Sequence, residues 1–173
     1  VATTLTDPPQ SRAGSLLQGP VVIFTIWNTL MKITPILTQL RAQCPGLANH
    51  IAVGVDLALL QGNADLPTPS AHVLPLADVA SNSSAQNLIA QPIRDRFEIV
   101  LVLDASDATK ALDLLHDLRA ELWRALVGWE PGPEYSPIEY GKGALLHISR
   151  ARVVYQFNFI AEFQLGRNSK SDP

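Results

Sequence analysis

Cysteine is almost absent from this chain. Cys44 stands alone, so neither an internal disulfide framework nor a cysteine-rich metal site can be built, and a reducing compartment suits the protein. A basic surplus is absent too: 13 Lys and Arg against 16 Asp and Glu leave a net charge of −3, where a general nucleic-acid binder needs cations to neutralise phosphates. Histidine is scarce. His50, His72, His116 and His147 have no second histidine or carboxylate at the spacing of a metal motif, and His116, between Asp113 and Asp117, reads as part of a solvated helix face. No phosphate-cradling loop follows a strand, because Gly128, Gly132, Gly141 and Gly143 follow a helix and lack an adjoining Lys-Ser/Thr. Ser106 has neither a neighbouring base nor an elbow motif. The apolar run Val21 to Met31 is broken by Asn28, lacks a small-residue cleavage site, and falls short of the roughly 20 residues of a membrane span.

What is present suits one domain with a proper core: 173 residues, 47% hydrophobic and 17% charged. The organising stretch is a strand over Phe97 to Leu103 followed by a helix over Asp107 to Val127. Alternation puts Phe97, Ile99, Leu101 and Leu103 on one face and Glu98, Val100, Val102 and Asp104 on the other. A strand apolar on both faces belongs near the middle of its sheet, covered on each side or by a partner subunit. The period then lengthens: Ala108, Leu112, Leu115, Leu118, Leu122 and Leu126 form one stripe, opposed by Lys110, Asp113, Asp117, Glu121 and Arg124. Ser106 or Asp107 can cap this helix, and Gly128 can end it.

Other elements follow in order. Residues 1–30 show no apolar period and read as a disordered or extraneous extension, with Met31, the single methionine, opening the compact domain. Thr34 as N-cap, Pro35 in the first turn, and Ile36, Leu37, Leu40 and Cys44 along one face predict a short helix stopped by Pro45 and Gly46. Cys44, on that apolar side, is expected to be buried and inert. Short strands are expected at Ile51 to Val55 and Ala71 to Leu76, with a helical turn over Asp56 to Leu60 between them. Residues 78–92 are expected to form a polar loop, a hairpin arm if its flanks pair. Trp129 to Gly143 is expected to be an ordered irregular loop. Val153 to Leu165 alternates as a long half-buried strand, and 167–173 form a polar tail. The fold class is α/β in the α+β sense: a small, mostly antiparallel sheet, one long amphipathic helix, and a shorter N-terminal helix packed on it, all within residues 31–166.

Several stretches, in this order, resemble the tail terminator (tail completion) proteins of siphophages and prophages. They are Met31-Lys-Ile-Thr-Pro-Ile-Leu, Leu40-Arg-Ala-Gln-Cys-Pro, Arg96-Phe-Glu-Ile-Val-Leu-Val-Leu-Asp, Leu112-Asp-Leu-Leu-His-Asp-Leu-Arg-Ala-Glu-Leu-Trp, Gly128-Trp-Glu-Pro, Tyr135-Ser-Pro-Ile-Glu-Tyr, Ser149-Arg-Ala-Arg and Tyr155-Gln-Phe. The resemblance covers Met31 to about Leu165. It implies a non-enzymatic virion subunit, a minor tail protein that closes into a ring, hexameric by the resemblance, caps the tail tube, stops polymerisation and joins tail to head connector. The implied partners are copies of itself, the tail tube protein and the connector, with no membrane, no cofactor, no metal and no sequence-specific nucleic acid. The implied place is the virion tail, assembled in the bacterial host cytoplasm. The alternatives are another neck or head-completion protein, and a small-ligand or enzymatic α/β domain, whose one foothold is the Trp129 to Gly143 loop and which would need a deep pocket lined by titratable groups. For a subunit that works by its surfaces, the expected interface residues are Arg94, Arg96, Trp129, Tyr135, Tyr140, Arg150 and Arg152, with the Ala80 to Pro92 loop and acidic neighbours such as Glu121 or Glu130.

Overall fold

The computed structural model describes residues 31–47, 50–54, 66–83, 88–149 and 151–168. The first helix, α1, is Ile33–Gln43; the strands β1 (Ile51–Val53), β2 (Ser70–Pro75), β3 (Val79–Ala80) and β4 (Leu88–Asp104) follow. Helix α2 (Ala108–Leu126) then leads to β5 (Glu139–Ile148) and β6 (Arg152–Asn168). One six-stranded sheet has the order β1-β2-β4-β6-β5, with β3 also paired to β4. All pairings are antiparallel except β1 with β2, which gives the expected α+β architecture.

The frame is the β4–β6 pair, in register without a break from Leu88↔Asn168 to Asp104↔Arg152. At 17 residues each, these strands are roughly 55 Å long. Both are longer than their apolar alternation indicates. The polar loop expected over 78–92 is in part strand: Val79 and Ala80 pair with Arg94 and Ile93, and residues 88–92 pair with β6. These residues have no core beneath them to impose a period, and Pro92 reads as a breaker. The expected loop over 129–143 likewise gives way, from Glu139 onward, to the edge strand β5, bulged at Tyr140/Lys142 and Leu145/His147. The expected turn over Asp56 to Leu60 and the extension over 1–30 lie outside the described residues.

Helix α2 is fixed at both ends by the residues its sequence offers. Asp107 caps it, its Oδ1 accepting from the amides of Thr109 at 3.1 Å and Lys110 at 3.2 Å, bonds that hold its carboxyl below the ordinary carboxylate range. Gly128 leaves it at φ 84°, a left-handed value that glycine adopts without strain, and donates to the carbonyl of Ile138. In α1 the cap is Lys32 and not Thr34, and makes no side-chain bond. The helix starts one residue before Thr34, and Pro35 is tolerated because first-turn amides have no intrahelical partner.

The main core lies between the sheet and the two helices. Phe97, Ile99, Leu101 and Leu103 of β4 meet Phe157 and Phe159 of β6 and Leu115, Leu118, Leu122 and Leu126 of α2; burying each such side chain contributes about 1.5–3 kcal/mol. Cys44 is buried there, its thiol pushed up to about 12, first by burial and then by Glu121. The other sheet face has a smaller core of Leu74, Val100, Val102 and Val154, so β4 is buried on both faces near its middle.

Candidate functional site

Alternation along the strands divides the expected interface residues between the two faces of the sheet. Arg94, Arg96 and Arg152 lie on the face away from the helices. There Arg94 Nε meets Glu162 at 3.4 Å in an exposed pair, Arg96 Nε donates to the carbonyl of Ala77 at 2.9 Å, and Arg152 Nη2 donates to that of Leu66 at 3.2 Å. Trp129 is half-buried beyond the end of α2 and packs on the main core. Tyr135 is buried, edge-on to Phe163 at 5.2 Å, with its hydroxyl 3.4 Å from Asp95 Oδ2. Arg150 lies outside the described residues. Tyr140 alone of the tyrosines named is exposed; these residues therefore do not form one patch.

A different surface emerges along the junction of α2 and the edge strand β5. Residues opposite one another in a sheet share a face, so the pairings Tyr140↔Phe159, Leu145↔Tyr155 and Ile148↔Val153 direct Tyr140, Leu145 and Ile148 to the helix side. Helix α2 does not reach far enough to cover them. Leu112 is 57% exposed, Leu145 52% and Ile148 60%, with Trp123 and Tyr140 at 38% and 37%. Leu112, assigned by its spacing to the core stripe, thus sits at the stripe's margin, where the sheet ends.

The aromatic side chains here are held firmly. Trp123 meets Tyr140 edge-on at 5.3 Å, Tyr140 meets Phe159 at 5.8 Å, and Phe159 stacks on Phe97 at 5.5 Å, a chain of rings from the surface to the core. Arg119 lies 5.7 Å from both the Trp123 and Tyr155 rings, within cation–π reach. Gly143 leaves the room: a Cβ there would come within 2.7 Å of the Tyr140 hydroxyl and 2.9 Å of the Tyr155 ring. The signal for β5 was present in sequence as an apolar run, Ala144 to Ile148, separated from the next strand by the short turn at Ser149. Ser149 accepts from the Arg152 amide at 3.1 Å, closing that turn.

An open groove at the start of α2 is lined by Ala105, Ser106, Ala108, Leu112, Ile148, Ser149 and Val153, none of them acid, base or metal ligand at neutral pH. Among the described residues no cluster of His, Cys, Asp and Glu could hold a metal ion, and no helix is long and apolar enough to cross a membrane. Burial pushes His72 down and Glu98 up from their ordinary values. His72 Nε2 is within hydrogen-bond distance of Ser70, at 3.2 Å, yet both are buried within the sheet.

Comparison with known proteins places the chain among structural proteins of the phage tail. The fold matches a chain from a structure described as the virion of a native gene transfer agent particle, at 13% identity and a TM-score of 0.50, covering 82% of this chain and 99% of that one. No curated protein matches by sequence. The family model for the phage tail terminator protein matches residues 26–170; the chain belongs to the phage tail terminator family, structural proteins of the phage tail.

Proposed function

We propose that this chain is the subunit of a closed ring that caps the phage tail tube, stops its polymerisation and offers its opposite face to the head connector. The observation that carries this reading is the uncovered apolar flank of Leu112, Trp123, Tyr140, Leu145 and Ile148. Monomeric proteins rarely leave contiguous apolar surface open, and aromatic side chains fixed in place are the usual anchors of interfaces. A ring of identical copies needs head-to-tail contact, in which two different surfaces of one subunit meet. The sheet offers a second surface at its other edge: β1 is the far strand, and its Val53 is also exposed. Six copies, the tube protein and the connector are the further parts of the reading, with assembly in the host cytoplasm before the tail joins the head. The open apolar groove, with no titratable lining, favours this structural role over a small-ligand site.

The test is tail length in particles made without this protein and complemented with wild type or Leu145→Glu. Imaging should find overlong, headless tubes without the protein, restored lengths with wild type, and overlong tubes again with the variant. Tubes of normal length in its absence would rule out the capping role.

A further inference from the structure

We infer that Arg119 is the charged anchor of the α2–β5 flank and takes the carboxylate of Asp78 from the next copy. The inference rests on the ring proposed above and adds the residue pair that fixes how neighbouring copies meet. Arg119 is half-buried on α2, with its guanidinium carbon 5.7 Å from the ring centres of both Trp123 and Tyr155. Beside it, Gly143 lets two hydroxyls close over the edge strand: a Cβ there would lie 2.7 Å from that of Tyr140 and 3.1 Å from that of Tyr155. Trp123, Tyr140 and Leu145 around this point are exposed. A cation fixed between rings, next to two hydroxyl donors and rimmed by apolar side chains, matches a carboxylate. The guanidinium offers a planar fork of donors, and the hydroxyls can complete the remaining bonds of the oxygens.

Covering this flank with a neighbour takes the guanidinium out of water, which is unfavourable unless a counter-charge arrives with the neighbour. The helix itself supplies no acid at one-turn spacing, where Leu115, His116, Leu122 and Trp123 stand. Among the described residues the buried Nε of Arg119 makes no hydrogen bond. In head-to-tail contact the acid comes from a different surface of the next copy. That surface is the opposite side of the sheet, where β2 and β3 pair with β4 away from β6 and where Val53 of β1 is exposed. Asp78, in the segment between β2 and β3, is an exposed acid there. The acids of β4 are engaged or enclosed: Asp104 Oδ1 accepts from the Ser106 amide at 2.8 Å, while Asp95 and Glu98 are buried.

A charge-swap series in the full chain tests the pair, read by native mass spectrometry with tail tube protein present and by circular dichroism to show that each variant is folded. Arg119→Glu and Asp78→Arg should each weaken ring assembly by about 30-fold or more, the loss expected when one partner of a buried charge pair is removed, and the double variant should regain rings. Arg119→Lys keeps the charge without the fork and should fall between. Leu145→Glu separates the pair from the ring: if it abolishes assembly while Arg119→Glu and Asp78→Arg assemble as wild type does, the flank stands as the interface and the ion pair is overturned. Wild type without rings would overturn both. Loss of rings in each single variant with no recovery in the double would overturn Asp78 as the partner. Rings of wild-type mass from Arg119→Glu that no longer hold tube protein would give the site to the tube and overturn the pairing between copies. Should Arg119→Glu fail to fold, Asp78→Arg carries the test from an exposed position, and undiminished assembly there overturns the inference.

Discussion

Trp123 of α2 and Tyr140 of β5 meet edge-on with ring centroids 5.3 Å apart, and this contact ties the helix to the outermost strand on its side of the sheet. Tyr140 also touches Phe159, so one half-exposed side chain links helix, edge strand and core. Tyr140→Ala should destabilise the fold by roughly 1–3 kcal/mol, the lower part of the range for aromatic truncation because the ring is partly exposed. Gly143→Val should do comparable harm by displacing Tyr140 and Tyr155. Thermal denaturation of the two variants checks both; unchanged melting would mean that β5 is held by its backbone bonds alone.

Leu115 and Leu112 separate burial from periodicity. Both belong to the apolar stripe of α2, yet Leu115 is buried and Leu112 is 57% exposed. Leu115→Ala should cost about 2–5 kcal/mol, whereas Leu112→Ala should fall within about 0.5 kcal/mol. Chemical denaturation of the two variants decides, and equal losses would place both in the core.

Glu98 sits opposite Leu74 and Asn158 in the sheet, where burial raises its pKa above the ordinary carboxylate value. The folded state then binds a proton more tightly than the unfolded one, so an ionised Glu98 weakens the fold at neutral pH and the penalty fades as pH falls through the raised value toward 4.5. Glu98→Gln should raise the melting temperature at pH 7 and lose that advantage in acid. A variant less stable at pH 7 would show that the carboxylate is paired.

His72 works in the opposite direction. Burial lowers its pKa from 6.5, so the unfolded chain binds the proton first. Its neutral form is fully compatible with folding above that value, and stability is lost as pH falls below it. His72→Asn should flatten that part of the pH–stability curve; an unchanged slope would assign the loss to other groups.

Much of this fold was legible in the sequence because its core obeys simple periods. Phe97 to Leu103, Leu115 to Leu126 and Val153 to Phe163 are buried as their spacing requires. What escaped was structure without a core beneath it. The outer half of β4 carries Gln91 and Pro92, and β5 carries Gly141 and Gly143; strands whose side chains meet solvent or each other leave no hydrophobic alternation. For the same reason the candidate surface was only partly legible. Tyr140 was singled out by residue type, but Leu145 and Ile148 acquire meaning only once β5 is an edge, and Leu112 only once the helix is seen to stop short of covering it. Tyr135, chosen on the same ground as Tyr140, turns inward to Asp95, a contact across 40 residues that no local pattern announces.

The α2–β5 flank is the proposed contact between copies, and the most direct test is the assembly mass of purified protein, alone and with tail tube protein, for wild type, Leu145→Glu and Ile148→Glu. Both substitutions fall on exposed positions, so circular dichroism and melting should match wild type within about 0.5 kcal/mol. Native mass spectrometry should then find a closed ring for wild type and monomers for the two variants. Wild type that remains monomeric with tube protein present, or variants that form the same ring, would contradict the assignment.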